Sequence, residues 1–277
     1  MNSTHSELKK RIFTGILGGA LVLAILFFGE TIGVTVLGFI ISLGMLQEFI
    51  GITFQLHDKK EKKLLLFGLL WLIVFTNYWI PRIEYVLLLF YFFILFGYFL
   101  FTADDHESEQ SLKIHFQELM ISLFGGLYLC FIPMYLVLIR TSPNGKKWII
   151  FFFLLNWLSD TAAYFIGKKY GKRRLWPKIS PKKTIEGALA GLGSGIVLAI
   201  FYKFIFFRDM SYFSVFFTPL LVGTLAQMGD LCESFFKRAY QRKDSGEILP
   251  GHGGFLDRFD GVIFSAPLMY ACIRLFS

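Results

Sequence analysis

WIIFFFLLNWLSDTAAYFIG, residues 148–167, is a twenty-residue run with a single charge, Asp160, and it ends at Lys168 and Lys169. About twenty mostly apolar residues are what an α-helix needs to cross roughly 30 Å of hydrocarbon while satisfying its own backbone polar groups. Reading outward with the same criterion gives about nine runs, near 12–29, 31–50, 64–80, 84–101, 118–139, 148–167, 189–207, 213–229 and 261–276. The break between the first two rests on Gly29–Glu30. The expected fold is all-α: a polytopic integral membrane protein with about nine transmembrane helices.

Composition agrees. The 277 residues are 55% hydrophobic, 18% aromatic and 17% charged, with mean hydropathy +0.58, against roughly 45–50% apolar and about 25% charged in soluble chains. A soluble core of this size could not hide 34 Phe, because much of its surface stays exposed. Disorder, collagen and a disulfide-stapled scaffold are excluded by the same figures. Cys130, Cys232 and Cys272 are scattered, odd in number and without a CxxC pair, so they read as free thiols facing a reducing compartment.

The excess of 28 basic over 20 acidic residues, +8, points to cytoplasmic loops and anionic headgroups and not to nucleic acid. Lys9, Lys10 and Arg11 precede the first run, but no small-residue cleavage site follows it, so it reads as a retained anchor helix. With the N-terminus inside, Lys59, Lys60, Lys62 and Lys63, the block Lys168–Lys183 and the segment Asp230–Asp260 fall on the cytoplasmic side; Arg140, Lys146 and Lys147 disagree. The expected location is the cell inner (cytoplasmic) membrane, multi-pass, with the active site facing the cytoplasm.

Two polar loops, 168–188 and 230–260, hold 13 of the 28 basic residues and mark where chemistry could reside. In GDLCESFFKRAYQRKDSGEILPGHGGFLDRFDG, residues 229–261, the first half reads as a helix leaving the membrane. Asp230, Glu233, Ser234 and Lys237 share one of its faces at i, i+3, i+4 and i+7. The chain then turns through Pro250, Gly251, Gly253 and Gly254, and Asp257 and Asp260 open the last apolar helix. Up to three carboxylates, Asp230, Asp257 and Asp260, suit Mg²⁺, and a glycine-rich turn ringed by Lys and Arg suits a polyphosphate. Structural ion pairs and snorkelling would also account for charges at a membrane edge, but the alternation of acids, bases and glycines in one short segment favours a site.

In the other loop, Asp160 stands about two turns inside an apolar run, where an ionisable group is a functional candidate by default. Ser180, Lys182, Lys183 and Thr184 add hydroxyls and cations near the headgroup plane. Glu48 reads as a boundary residue that could face the same cavity, and His252, without partners at ligand spacing, is poor support for zinc. Gly187, Gly191 and Gly195 make two overlapping GxxxG steps, which suit packing within the chain ahead of a homodimer seam.

Ser234, Lys237–Arg238, Lys243–Asp244, Gly246, Leu249–Pro250, His252–Gly253–Gly254, Asp257–Arg258 and Asp260 follow, over 27 residues, the signature of the phosphatidate cytidylyltransferases, also called CDP-diacylglycerol synthases. The chain resembles that family. Ser159–Asp160 through Ile179–Thr184 and Glu186–Gly187 is similar to the family's second recurring stretch; the N-terminal half resembles it only in hydropathy, with Glu48 a weak match. The resemblance implies transfer of CMP from CTP to phosphatidate, releasing pyrophosphate, with CTP, phosphatidate and membrane lipid as partners. It also implies a divalent cation, Mg²⁺ or another, held by Asp230 and Asp257, with a monovalent cation as a further candidate. Asp230, Asp257, Asp260, Lys237 and Arg238 are then the expected catalytic residues. Substrate binding falls to Asp160, Lys182, Lys183, Thr184, Ser234, Lys243, Asp244, Gly251, His252, Gly253, Gly254 and Arg258. Residues 1–147 are expected to be a scaffold of transmembrane helices and 148–277 the catalytic region. The alternative is a CTP-dependent polyprenol or other lipid kinase; a CDP-alcohol phosphotransferase lacks its longer acid spacing here, and a transporter using Asp160 as a relay is the rival from another class.

Overall fold

The computed structural model describes residues 15, 17–54, 61–69, 72, 83–103, 108–131, 133–208, 210–246, 248 and 253–276. Helix α1 (Leu17–Phe28) and α2 (Glu30–Thr53) are separated at the Gly29–Glu30 break, where Glu30 takes a φ of +49°. A short α3 (61–69) and α4 (Glu84–Thr102) follow. The Ser108 hydroxyl accepts from Ser111 N–H and starts α5 (Glu109–Gly125), as N-cap serines do. The helix widens to π geometry over Gly126–Phe131 and resumes as α6 (Met134–Thr141) after Pro133, which has no N–H to continue the ladder.

The C-terminal half is built from α7 (Gly145–Tyr170), α8 (Ile185–Phe206), α9 (Tyr212–Ala239) and α10 (Leu256–Phe276). Ser211 caps α9 by accepting from Ser214 N–H. α9 has 28 residues, about 42 Å at 1.5 Å per residue, so its polar last turns stand clear of the hydrocarbon.

Among the described residues six helical stretches are long and apolar enough to cross a membrane: α2, the continuous Glu109–Thr141, α7, α8, α9 and α10. Leu17–Phe28 and Val86–Thr102 are shorter apolar helices, and most of the expected span 64–80 lies outside the described residues. The described architecture is thus an all-α membrane bundle with six helices of spanning length, against the nine expected.

The GxxxG face is used inside the chain. A Cβ on Gly187, Gly191 or Gly195 would come within 2.6–2.8 Å of Ala163 O, Ser159 Oγ and Leu155 Cδ1 respectively. The three glycines therefore let α8 lie against a single stripe of α7. Between these helices the segment expected to be a loop is largely ordered. Strands β1 (Arg174–Trp176) and β2 (Ser180–Thr184) pair antiparallel, with Arg174 opposite Thr184 and Trp176 opposite Ser180. Glu186 closes the base of this hairpin by accepting from the N–H groups of Lys172 (3.0 Å) and Arg173 (3.2 Å) and from Arg173 Nε (3.2 Å).

α2 joins the two halves. Its buried face (Leu37, Ile41, Met45, Phe49) enters the core, and Phe49 stacks on Phe236 of α9 with ring centres 4.9 Å apart.

Candidate active site

The C-terminal ends of α7 and α9 and the N-termini of α8 and α10 meet at one end of the bundle, and both expected polar loops are there. They touch: Lys183 of β2 forms an ion pair with Asp230 of α9, and Arg238 Nε donates to Ile179 O at 3.4 Å. Counted back along the helix axes, Asp160 is ten residues from Tyr170 and Asp230 nine from Ala239, so both lie about 14–15 Å below the helix ends. Asp160 is accessible on α7, and the charges acting on it are those of Asp230, Lys183 and Arg258.

The crossing of α9 over α10 explains the central cluster. A Cβ on Gly229 would be 2.8 Å from Asp260 O, and one on Gly261 3.0 Å from Ala226 O. The backbones approach at the residues adjacent to Asp230 and Asp260, and one turn further along α9 Glu233 joins them. Asp230, Glu233 and Asp260 each offer a carboxylate oxygen within 4.8 Å of the others, the one such group among the described residues. Glu233 is 3% exposed and Asp260 8%. Asp260 Oδ1 accepts from Gly261 N–H at 2.7 Å and Asp230 Oδ1 from Ser234 Oγ at 3.5 Å. Glu233 Oε1 is buried with no hydrogen-bond partner among the described residues. Three converging hard oxygen donors, one of them unpartnered, fit a divalent cation such as Mg²⁺.

Asp257 does different work. Its Oδ1 receives Lys237 Nζ at 2.5 Å, and its Oδ2 accepts from Ser245 N–H (3.1 Å), Ser245 Oγ (2.9 Å) and Gly254 N–H (3.0 Å). Lys237 also pairs with Glu233 Oε2 at 2.7 Å, tying this turn to the acidic cluster. Of the pair expected to share an ion, Asp230 belongs to the converging group, and Asp257 adjoins it through Lys237, which both Asp257 and Glu233 hold. Asp257 lies in the first turn of α10, with Oδ1 taken up by Lys237 and Oδ2 by Ser245 and the Gly254 N–H.

The comparisons fit this geometry. A family model described as "Cytidylyltransferase family" matches residues 9–276. The chain belongs to that family. "Phosphatidate cytidylyltransferase" of Bacillus subtilis (strain 168) is 32% identical over 98% of this chain and 99% of its own length. The protein of the same name from Staphylococcus haemolyticus (strain JCSC1435) is 36% identical over 69% of this chain and 70% of its own. That of Staphylococcus aureus (strain COL) is 45% identical over 47% and 50%.

For this cytidylyltransferase family member the remaining expected residues separate by position. Lys182 is exposed and, as the neighbour of Lys183 on a strand, points to the opposite face. Thr184 is buried as the N-cap of α8, accepting from Gly187 N–H at 3.2 Å. Arg238 also donates to Arg242 O at 3.0 Å, and Lys243, Asp244 and Arg258 are exposed. Gly253, with φ +82°, and Gly254 form the turn; Gly251 and His252 lie outside the described residues. Of the thiols, Cys232 and Cys272 are free, and the Cys130 side chain lies outside the described residues.

Three groups were not on the expected list. Glu233 was legible from its i+3 spacing to Asp230. Tyr128 is brought by the π segment to within 3.5 Å of Asp260 O, as π-bulges at functional sites do, and no local pattern announces it. Glu48, read as a boundary residue, is 5% exposed and bonded to the signature segment.

Proposed function

We propose that this protein is a phosphatidate cytidylyltransferase. The observation that carries the reading is the convergence of Asp230, Glu233 and Asp260 beside Lys183 and Lys237, at the polar end of membrane-length helices. Family membership and the names of the relatives support it. A phosphate oxygen of phosphatidate bonds to the α-phosphorus of CTP, the bond from that phosphorus to the α,β-bridging oxygen breaks, and pyrophosphate leaves with the electron pair.

Asp230, Glu233 and Asp260 would hold a divalent cation, which would supply positive charge against the triphosphate. Lys183 and Lys237, each already paired with an acid of the site, bind phosphate oxygens; Asp257 orients Lys237 and shapes the glycine turn. Asp160, at the depth of Asp230 on α7 and within reach of the charges of Asp230, Lys183 and Arg258, borders the same site. A pocket where helix ends meet the headgroups suits the two substrates, a two-chain lipid and a soluble nucleotide. The Lys/Arg bias supports placing this end in the cytoplasm and the protein in the inner membrane.

Purified protein given CTP, phosphatidate and Mg²⁺ should form lipid-linked cytidine with one pyrophosphate released per turnover. Release of CDP with transfer of the γ-phosphate would replace the reading with a lipid kinase.

A further inference from the structure

Glu48 belongs to α2, nearly 200 residues before the signature segment, yet its carboxylate is surrounded by that segment. Oε1 accepts from Phe255 N–H at 2.9 Å, and Oε2 accepts from Leu256 N–H and from Ser245 Oγ, both at 2.9 Å. Two of these donors are N–H groups at the start of α10, which have no acceptor within their own helix, so Glu48 caps α10 from another part of the chain. One turn earlier on α2, Gly44 receives the Phe255 ring: a Cβ there would sit 2.6 Å from Phe255 Cγ and Cδ2.

The third donor links Glu48 to the site. Ser245 Oγ lies 2.9 Å from Glu48 Oε2 and also 2.9 Å from Asp257 Oδ2, and Asp257 in turn holds Lys237. Gly254 is enclosed by the same groups: a Cβ would fall 2.1 Å from Ser245 Oγ and 2.2 Å from Glu48 Oε2. Glu48 and Ser245 also line a cavity of about 380 Å³, together with Gln47, Gly51, Arg242 and Asp244. Arg242 is tied to α9, its N–H donating to Lys237 O at 2.8 Å and its carbonyl accepting from Arg238, while Ser245 is held by its bonds to Glu48 and Asp257.

We propose that Glu48 is a positioning residue for cytidylyl transfer: through Ser245 it sets the place of Asp257 and therefore of Lys237, without touching substrate. The inference rests on the transferase reading for its kinetic arm only. In full-length protein in nanodiscs, Glu48→Gln should lower kcat ten- to a hundredfold while KM for phosphatidate stays within threefold. Gln keeps the size but presents an amide N–H₂ to the N–H donors of Phe255 and Leu256. Ser245→Ala should give a similar kcat loss, and the double variant should be no worse than the poorer single one, because both cut the same bridge.

Multiplicative losses, or a specific activity per folded molecule equal to wild type, would overturn the proposal. Amide hydrogen exchange gives a readout independent of turnover. Protection at residues 245 and 254–256 should fall in Glu48→Gln while the amides of α7 and α8 keep theirs, and unchanged protection there would also overturn it. Wild-type protein without transfer activity would sink the functional reading alone, since the exchange arm still tests the role of Glu48. If Glu48→Gln does not fold, Glu48→Asp, which keeps the charge but shortens the reach to Ser245 and to the N–H groups of Phe255 and Leu256, carries both arms.

Discussion

At the scale of single residues, the acidic cluster is a place where stability and function oppose each other. Asp230, Glu233 and Asp260 crowd three acids within 4.8 Å, two of them nearly inaccessible, and Lys183 and Lys237 pair with Asp230 and Glu233 but not with Asp260, in a medium that screens poorly. Asp260→Asn should lower turnover more than a hundredfold, yet raise the melting temperature in EDTA. Relief of about 1 kcal/mol corresponds to a rise of roughly 2–4 °C for a chain of this size. Added Mg²⁺ should raise the melting temperature of wild type, by mass action, and leave that of Asp260→Asn unchanged. Asp257→Asn separates the roles: turnover should fall because Lys237 and the turn lose their anchor, while the Mg²⁺-dependent shift persists. Loss of that shift would return Asp257 to the ion-holding group. The acids themselves were legible in the sequence, and so was the shared face of Asp230 and Glu233. Asp260 was a candidate ligand beside Asp230 from the sequence, but how closely it meets Asp230 and Glu233 depends on the crossing of α9 and α10 at Gly229 and Gly261.

At the scale of elements, the seam between α7 and α8 and the hairpin beyond it hold half of the site. Gly187→Val puts branched carbon where Ala163 O already lies 2.6 Å from the position of a Cβ. Overpacking of this kind costs about 1–3 kcal/mol, read as a lower melting temperature in detergent and reduced turnover, because the hairpin carrying Lys183 hangs from the start of α8. Gly193→Ala, with nothing within 4 Å of its Cβ, should leave both unchanged. The glycine spacing was legible; the hairpin was not. Its strands are three and five residues long and basic, without the apolar alternation that marks a strand. What orders them is distant or set by the fold: the Glu186 carboxylate at its base and Arg238 reaching Ile179 O from α9. The π segment was hidden for a different reason, since its residues are as apolar as the helical turns around it.

At the scale of the whole molecule, sidedness is the consequence most open to test. Lys178 lies on the hairpin at the site end, and Arg208 between α8 and α9 at the other. With Cys130, Cys232 and Cys272 replaced by alanine, Arg208→Cys should react with an impermeant maleimide in intact cells, and Lys178→Cys only after permeabilisation. The reverse pattern would place the site on the outer face. Composition and run length made the membrane class readable at once, and the Gly29–Glu30 break with it, whereas the number of spanning helices depended on helix length: Leu17–Phe28 and Val86–Thr102 are shorter than a span, and most of 64–80 lies outside the described residues. The hold of Glu48 on Leu256 N–H, 208 residues away, also bears on how the protein is made. At roughly 5–20 residues per second, the ribosome needs on the order of 10–40 s to deliver the donors that this carboxylate waits for. Biogenesis must therefore shelter a bare anion near the bilayer until the final helix arrives, and truncation before residue 256 should leave the N-terminal helices exposed to membrane proteases.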